Sequence, residues 1–228
     1  IDSGVYREHP DLGNADIRKG WDYIFDVMCD WDSTGHGTNV TGIIGAETNN
    51  AIGIAGVDWD VAIIPLRVIW SDGSAYISDV AEAIYDAADI DCEVINISLG
   101  TDKDTSSLRT AVSYAISKGC IVAAAAGNDG NSSYSYPASY DGVISVGSIK
   151  SNLTYSSFSQ YNNRVDVAAP GENIYTTAYW IDANGKDYIY TSGTSLSTPY
   201  VSGIAALAAA YKPSITADEF YAALIGSC

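Results

Sequence analysis

Four residues of this chain carry side chains suited to acyl transfer, and they lie far apart in the sequence. Ser195 stands in Ser192-Gly-Thr-Ser-Leu-Ser-Thr-Pro199, ahead of a long alanine-rich pattern of Val201, Ile204, Leu207, Ala208 and Tyr211. A serine there lies at or near a helix N-terminus, where backbone N–H groups and the helix dipole stabilise negative charge. Pro199 fits such a helix only in its first turn or at a kink. His36 sits between Gly35 and Gly37, which let a backbone or a substrate approach the ring closely. Asp2 precedes Ser3-Gly4, and Asn128 follows four alanines and Gly127. Each has a plain structural reading when taken alone: an N-cap for Ser195, a satisfied core or surface histidine for His36, and turn residues for Asp2 and Asn128. Together they supply a nucleophile, a base, a carboxylate to orient the base and an amide donor. Ser195 would attack a carbonyl carbon, His36 would take its proton and Asp2 would hold the imidazole tautomer. Asn128 and the Ser195 N–H would meet the oxyanion.

Such residues need a scaffold that gathers them. Val61–Ile69, Glu93–Ile97, Cys120–Ala126 and Val143–Gly147 read as strands. Between them, Ser78 to about Asp89 reads as a helix capped by Ser78, with Val80, Ile84, Ala87 and Ala88 on one face. A second helix spans Thr105 to Lys118, with Leu108, Val112, Ala115 and Ile116 inward and Gly119 ending it. The alternation implies right-handed crossovers and a parallel sheet covered on both faces. Ligands in such sheets sit beyond the carboxyl ends of the strands. Those ends hold Asp2-Ser-Gly4, Ser98-Leu-Gly100 and Gly127-Asn-Asp-Gly130. From 128 to 163 the composition shifts to Tyr, Ser and Asn, which reads as exposed loops and hairpins.

Composition narrows the function classes. The 228 residues suit one α/β domain with a sizeable core. A hydrophobic share of 47% excludes a disordered acidic tail. No apolar run reaches the roughly eighteen residues of a membrane span. A net charge of -17 argues against nucleic acid, whose phosphates need clustered cations. Cys29, Cys92, Cys120 and Cys228 form no C-x-x-C pair. Cys92 and Cys120 begin neighbouring strands, so a bridge between them and free buried thiols are both open.

The segments Ile1-Asp-Ser-Gly-Val5, His36-Gly-Thr38, Asn96-Ile-Ser-Leu-Gly100, Ala125-Ala-Gly-Asn128 and Gly193-Thr-Ser-Leu-Ser-Thr-Pro199 resemble those of the subtilisin-like serine proteases, the subtilases, over nearly the whole chain. They follow that family's order of Asp, His, Ser. The resemblance implies a three-layer α/β sandwich with a central, mostly parallel sheet. It implies a single catalytic domain over 1–228, shortened to Ile1 at the strand before the aspartate and clipped beyond Thr216. The implied activity is that of a secreted, extracellular, monomeric serine endopeptidase acting on extended polypeptides, with no cofactor for catalysis.

Further sites follow from the same resemblance. Ser98, Leu99 and Gly100 would pair with the substrate backbone from one side, and Gly73, Ser74 and Ala75 from the other. Ala125, Ala126 and Gly127 would line the primary pocket, with Ser135 near its floor, leaving room for apolar or aromatic residues. A structural calcium ion would take side-chain oxygens from Asp11 and Asn50 and carbonyls from Thr48, Ile52 and Ile54. Asn39 replaces a second histidine found in many relatives.

Two other readings compete. A catalytically silent binding or regulatory relative would have lost one of Asp2, His36, Ser195 or Asn128, and all are present. An α/β-hydrolase esterase would show G-x-S-x-G and the order Ser, Asp, His, and neither occurs.

Overall fold

The structure is a computed structural model that describes residues 1–29, 31–179 and 187–228. In chain order, a hairpin of β1 (Gly20–Asp22) and β2 (Val27–Cys29) precedes helix α1 (His36–Gly45). Then β3 (Leu66–Arg67), α2 (Ile77–Asp89), β4 (Val94–Ile97), α3 (Ser106–Ser117), β5 (Ile121–Ala125) and β6 (Val143–Ile149) follow. After β7 (Val167–Pro170) comes a second hairpin, β8 (Ile174–Thr177) with β9 (Tyr188–Thr191), and then helices α4 (Thr194–Tyr211) and α5 (Ala217–Gly226).

Strands β4, β5, β6 and β7 form one parallel sheet in sequence order, and β3 pairs in parallel with β1 in a smaller sheet. Residues 1 and 2 stitch the two sheets together. The Asp2 N–H donates to the Leu66 carbonyl at 3.0 Å, the Val68 N–H donates to the Asp2 carbonyl at 2.9 Å, and the Ile1 nitrogen donates to the Asn96 carbonyl at 2.9 Å. The Arg67 side chain, 1% exposed, anchors β3 below them through an ion pair with Asp22 and the face of Trp31 at 4.1 Å.

β5 shows why the architecture has three layers. All five of its residues are buried, and the strand period of two sends them to opposite faces. Val122 and Ala124 join the core beneath α2 and α3, whereas Ile121 and Ala123 join Val201 and Ala205 of α4 and Phe220 of α5. The molecule is thus an α/β sandwich around a mostly parallel sheet. α2 presents Val80, Ile84, Ala87 and Ala88 to the core, as the spacing predicts. Full burial of an aliphatic side chain such as Ile84 contributes about 1.5–3 kcal/mol. α5 is opened by a capping box between Thr216 and Glu219.

Two local expectations are corrected and one open alternative is resolved. α2 begins at Ile77 with Tyr76 as its N-cap, and the Ser78 hydroxyl bonds Asp79 instead of capping the helix. The Tyr76 carbonyl already accepts the N–H groups of Asp79 and Val80, which fixes the earlier start. Of the apolar run 61–69, only Leu66–Arg67 is a strand, because Pro65 has no N–H to give a ladder. All four cysteines are free, so the Cys92–Cys120 alternative resolves to thiols. A cavity of about 540 Å³, lined by Ile1, Ile64, Leu66, Ile95, Ala206 and Ala210 among others, opens between β3 and β4 on the inner side of Asp2.

Candidate active site

His36 opens α1, and its ring Nδ1 lies 2.8 Å from Asp2 Oδ1. The same oxygen accepts the Ser3 N–H at 2.7 Å. Burial opposes the charged carboxylate, but the facing imidazolium and these hydrogen bonds outweigh it and hold Asp2 below the usual carboxylate range. Burial likewise opposes a charged His36, and the charge and hydrogen bond of Asp2, helped by the charge of Asp32, raise its pKa above the ordinary value. An imidazole held this way at Nδ1 leaves Nε2 free for proton transfer.

Asp32 is a residue of this site that sequence reasoning missed. It is fully buried, and its Oδ1 accepts the Ser3 hydroxyl at 2.6 Å, the Thr34 N–H at 3.1 Å and the Gly35 N–H at 2.8 Å. Its Oδ2 accepts the N–H and hydroxyl of Thr38 at 2.8 and 2.6 Å. The loop on both sides of His36 therefore wraps one carboxylate. The Ser3 hydroxyl also accepts the Gly37 N–H at 2.8 Å, binding that loop to the residue after Asp2. The available signal was an acidic residue four positions before the histidine in Asp32-Ser-Thr-Gly-His36.

Ser195 lies in the first turn of α4. A Cβ built on Gly193 would meet Ser195 Oγ at 2.9 Å and Asn128 Nδ2 at 3.6 Å, so the Ser195 hydroxyl and the Asn128 amide border the same small space, which only glycine leaves open. Thr194 fixes the direction of that amide. Its N–H and hydroxyl donate to Asn128 Oδ1 at 2.8 and 3.0 Å, turning Nδ2 away from them. Thr194 too was absent from the sequence candidates, although it lies inside the quoted motif. The two halves of the site meet through the sheet end. Asp2 adjoins Ile1, which bonds Asn96, and the Ser98 hydroxyl donates to the Ser195 carbonyl at 2.9 Å. Helices α1 and α4 also pack against each other.

The candidate substrate segments flank this rim. Ser98, Leu99 and Gly100 run out of β4, and a Cβ on Gly100 would meet Ser135 Oγ at 2.4 Å, which puts the buried Ser135 against that strand. Gly73, Ser74 and Ala75 form a tight turn in which Trp70 and Ser74 pair at 2.8 Å and Ala75 bridges Ile69. Ala125 ends β5, Ala126 and Gly127 follow it, and the Gly127 N–H donates to the Thr194 hydroxyl at 3.2 Å.

Of the candidate metal residues, Asn50 and Ile54 meet Asp11 through N–H groups, and Asn50 Oδ1 accepts the Ile52 N–H at 3.1 Å. Asp11, fully buried, accepts the Asn50 side-chain amide at 2.7 Å and the Ile54 N–H at 2.8 Å, with Thr48 and Ile52 in the same loop. The Tyr188 hydroxyl is buried beside that carboxylate, and burial together with the charge and hydrogen bond of Asp11 raises its pKa above the ordinary value. A Cβ on Gly53 would strike both that hydroxyl and the Asp11 carboxylate. Among the described residues no cluster of three His, Cys, Asp or Glu side chains surrounds a metal position. The donors on offer are therefore one carboxylate plus amide, hydroxyl and carbonyl oxygens, a hard set suited to calcium.

The model of the subtilase family matches residues 1–228. A thermophilic serine proteinase of Bacillus sp. (strain AK1) is 47% identical over 209 residues, covering 92% of this chain and 51% of the relative. Thermitase of Thermoactinomyces vulgaris is 44% identical over 209 residues, covering 92% of this chain and 73% of its own. The chain thus spans about half the length of the first relative and about three quarters of the second. A solved cold-adapted subtilisin-like serine proteinase superposes with a TM-score of 0.87 at 33% identity, covering 97% of this chain and 78% of its own. Sphericase gives 0.88 at 32%, covering 99% and 80%.

Proposed function

Because the chain belongs to the subtilase family, we propose that it is a serine endopeptidase that cleaves extended polypeptides through Asp2, His36 and Ser195. The observation that carries this reading is the 2.8 Å bond between Asp2 and His36 Nδ1, which leaves the other ring nitrogen available. His36 Nε2 accepts the Ser195 hydroxyl proton as Oγ adds to the scissile carbonyl. The oxyanion takes hydrogen bonds from Asn128 Nδ2 and the Ser195 N–H; one such donor supplies about 3 kcal/mol of transition-state stabilisation. His36 then passes the proton to the departing amine. Water, deprotonated by His36 in turn, hydrolyses the acyl-Ser195 ester. Segments 73–75 and 98–100 bind the substrate main chain, and residues 125–127 with Ser135 shape a pocket for an apolar or aromatic side chain. The enzyme acts as a monomer outside the cell. No helix among the described residues is long and apolar enough to cross a membrane. In the full-length protein, a fluorophosphonate should label Ser195 and Ser195→Ala should abolish both labelling and peptidase activity. Activity that survives the substitution refutes the assignment.

Calcium bound by Asp11 and Asn50, with carbonyls of Thr48, Ile52 and Ile54, would neutralise the buried carboxylate and brace the loop after α1 without entering the reaction. The full burial of the Asp11 carboxylate, with no ion pair among the described residues, favours this reading. Chelation should lower the thermal midpoint of the full-length protein, and Asp11→Asn should remove that response. An equal midpoint in chelator and in excess calcium eliminates the site.

A further inference from the structure

Resting on the reading above, in which Ser195 is the nucleophile, we propose that Ser98 is a positioning residue whose hydroxyl replaces the helical hydrogen bond that Pro199 withholds from the Ser195 carbonyl.

In an α-helix each carbonyl accepts the N–H four residues on. For Ser195 that residue is Pro199, which has no N–H. α4 nevertheless runs unbroken from Thr194 to Tyr211. The Ser195 carbonyl would be an orphaned acceptor in a residue only 8% exposed. Ser98 Oγ–H donates to it at 2.9 Å.

The hydroxyl has a single proton and spends it on Ser195, so it is an acceptor toward its other neighbour. That neighbour is Asn96, whose Nδ2 donates to Ser98 Oγ at 3.0 Å. Asn96 Oδ1 in turn accepts the Ser202 hydroxyl at 2.8 Å. Ser202 and Ser195 are seven residues apart on α4 and so lie on one face, two turns from each other. The end of β4 is clipped to that face at both points, with both hydroxyl protons of this run committed. Ser98 and Ser202 are 4% and 3% exposed, so water does not compete for these bonds. Ser98 also begins the segment assigned to the substrate main chain. One hydroxyl therefore registers the substrate strand against the turn that carries the attacking oxygen.

A merely structural serine would affect stability, whereas this role predicts coupling to residue 199. The test is a double-mutant cycle in the full-length enzyme, reading kcat, KM and the thermal midpoint on a peptide substrate. Ser98→Ala should lower kcat roughly ten- to a hundredfold, the scale of an unsatisfied buried acceptor, with a much smaller change in KM. Ser98→Thr, which keeps the hydroxyl, should retain most of the rate. Pro199→Ala gives the carbonyl an N–H, so adding Ser98→Ala in that background should cost far less than in the parent. If Ser98→Ala folds poorly, Ser98→Cys, a weak donor of similar size, takes its place in the cycle. Equal losses in both backgrounds, or an effect confined to the thermal midpoint, overturn the proposal. Ser195→Ala run alongside separates the two readings: a dead Ser195→Ala with an additive cycle removes only the role of Ser98, and an active Ser195→Ala removes the nucleophile assignment itself.

Discussion

At the scale of single residues, two buried carboxylates govern one imidazole. Asp2 bonds His36 directly, and Asp32 holds the loop around it while adding negative charge. A general base works only when neutral. Since the His36 pKa is raised above its ordinary value of 6.5, the acid limb of kcat/KM should fall above pH 6.5. Asp32→Asn removes one of the charges that raise it, so the limb should move to lower pH, with a slower enzyme because the loop loses its acceptor. A pH–rate profile of both proteins checks this, and an unmoved limb would mean that Asp32 is electrostatically silent. Linkage has its own sign: the extra stability from the raised His36 is present below pH 6.5 and is lost as pH rises through the folded value. Much of this site was legible in the chain, because Asp2, His36, Asn128 and Ser195 each sit within two residues of a glycine in distinctive segments. Asp32 and Thr194 were not, since their importance lies in which donors they meet after folding, and a lone acid or threonine in a loop has no periodicity to betray it.

At the scale of elements, the helices were easier to read than the strands. α2 and α3 carry apolar residues at helical spacing, and Gly119, with φ of 94°, closes α3 as expected. The run 61–69 misled because apolar character does not reveal a missing ladder donor at Pro65. The fully buried β5 was readable as a strand covered on both sides, since no polar residue interrupts it. α2 owes its place to its buried face, so Ile84→Ala, at a fully buried position between α2 and the sheet, should cost about 2–5 kcal/mol of stability. Denaturant unfolding in a Ser195→Ala background, where self-digestion is suppressed, measures it. A loss below half of that range would mean that the site collapses around the gap.

At the scale of the whole molecule, 28 acidic residues face 11 basic ones, and the ion pairs that do form are mostly exposed. Such pairs contribute little, so the surplus of negative charge is a net self-repulsion. Raising ionic strength from about 0.01 M to 0.15 M shortens the screening length from roughly 30 to 8 Å. The thermal midpoint should therefore climb with sodium chloride over that range in the inactive Ser195→Ala protein; a flat response would show that the charges are already too far apart to matter. A second global property follows from β5. Its alanines at 123 and 124 lie on opposite faces of the sheet, each with 0% exposure, just ahead of Asn128. Methyl groups thus set the thickness of the sandwich on both sides of the middle layer. The spacing between Asn128, which follows that layer's β5, and Ser195, carried by α4, is gauged at Ala123 by the smallest side chain that can fill the gap. Any bulkier residue there would act as a shim.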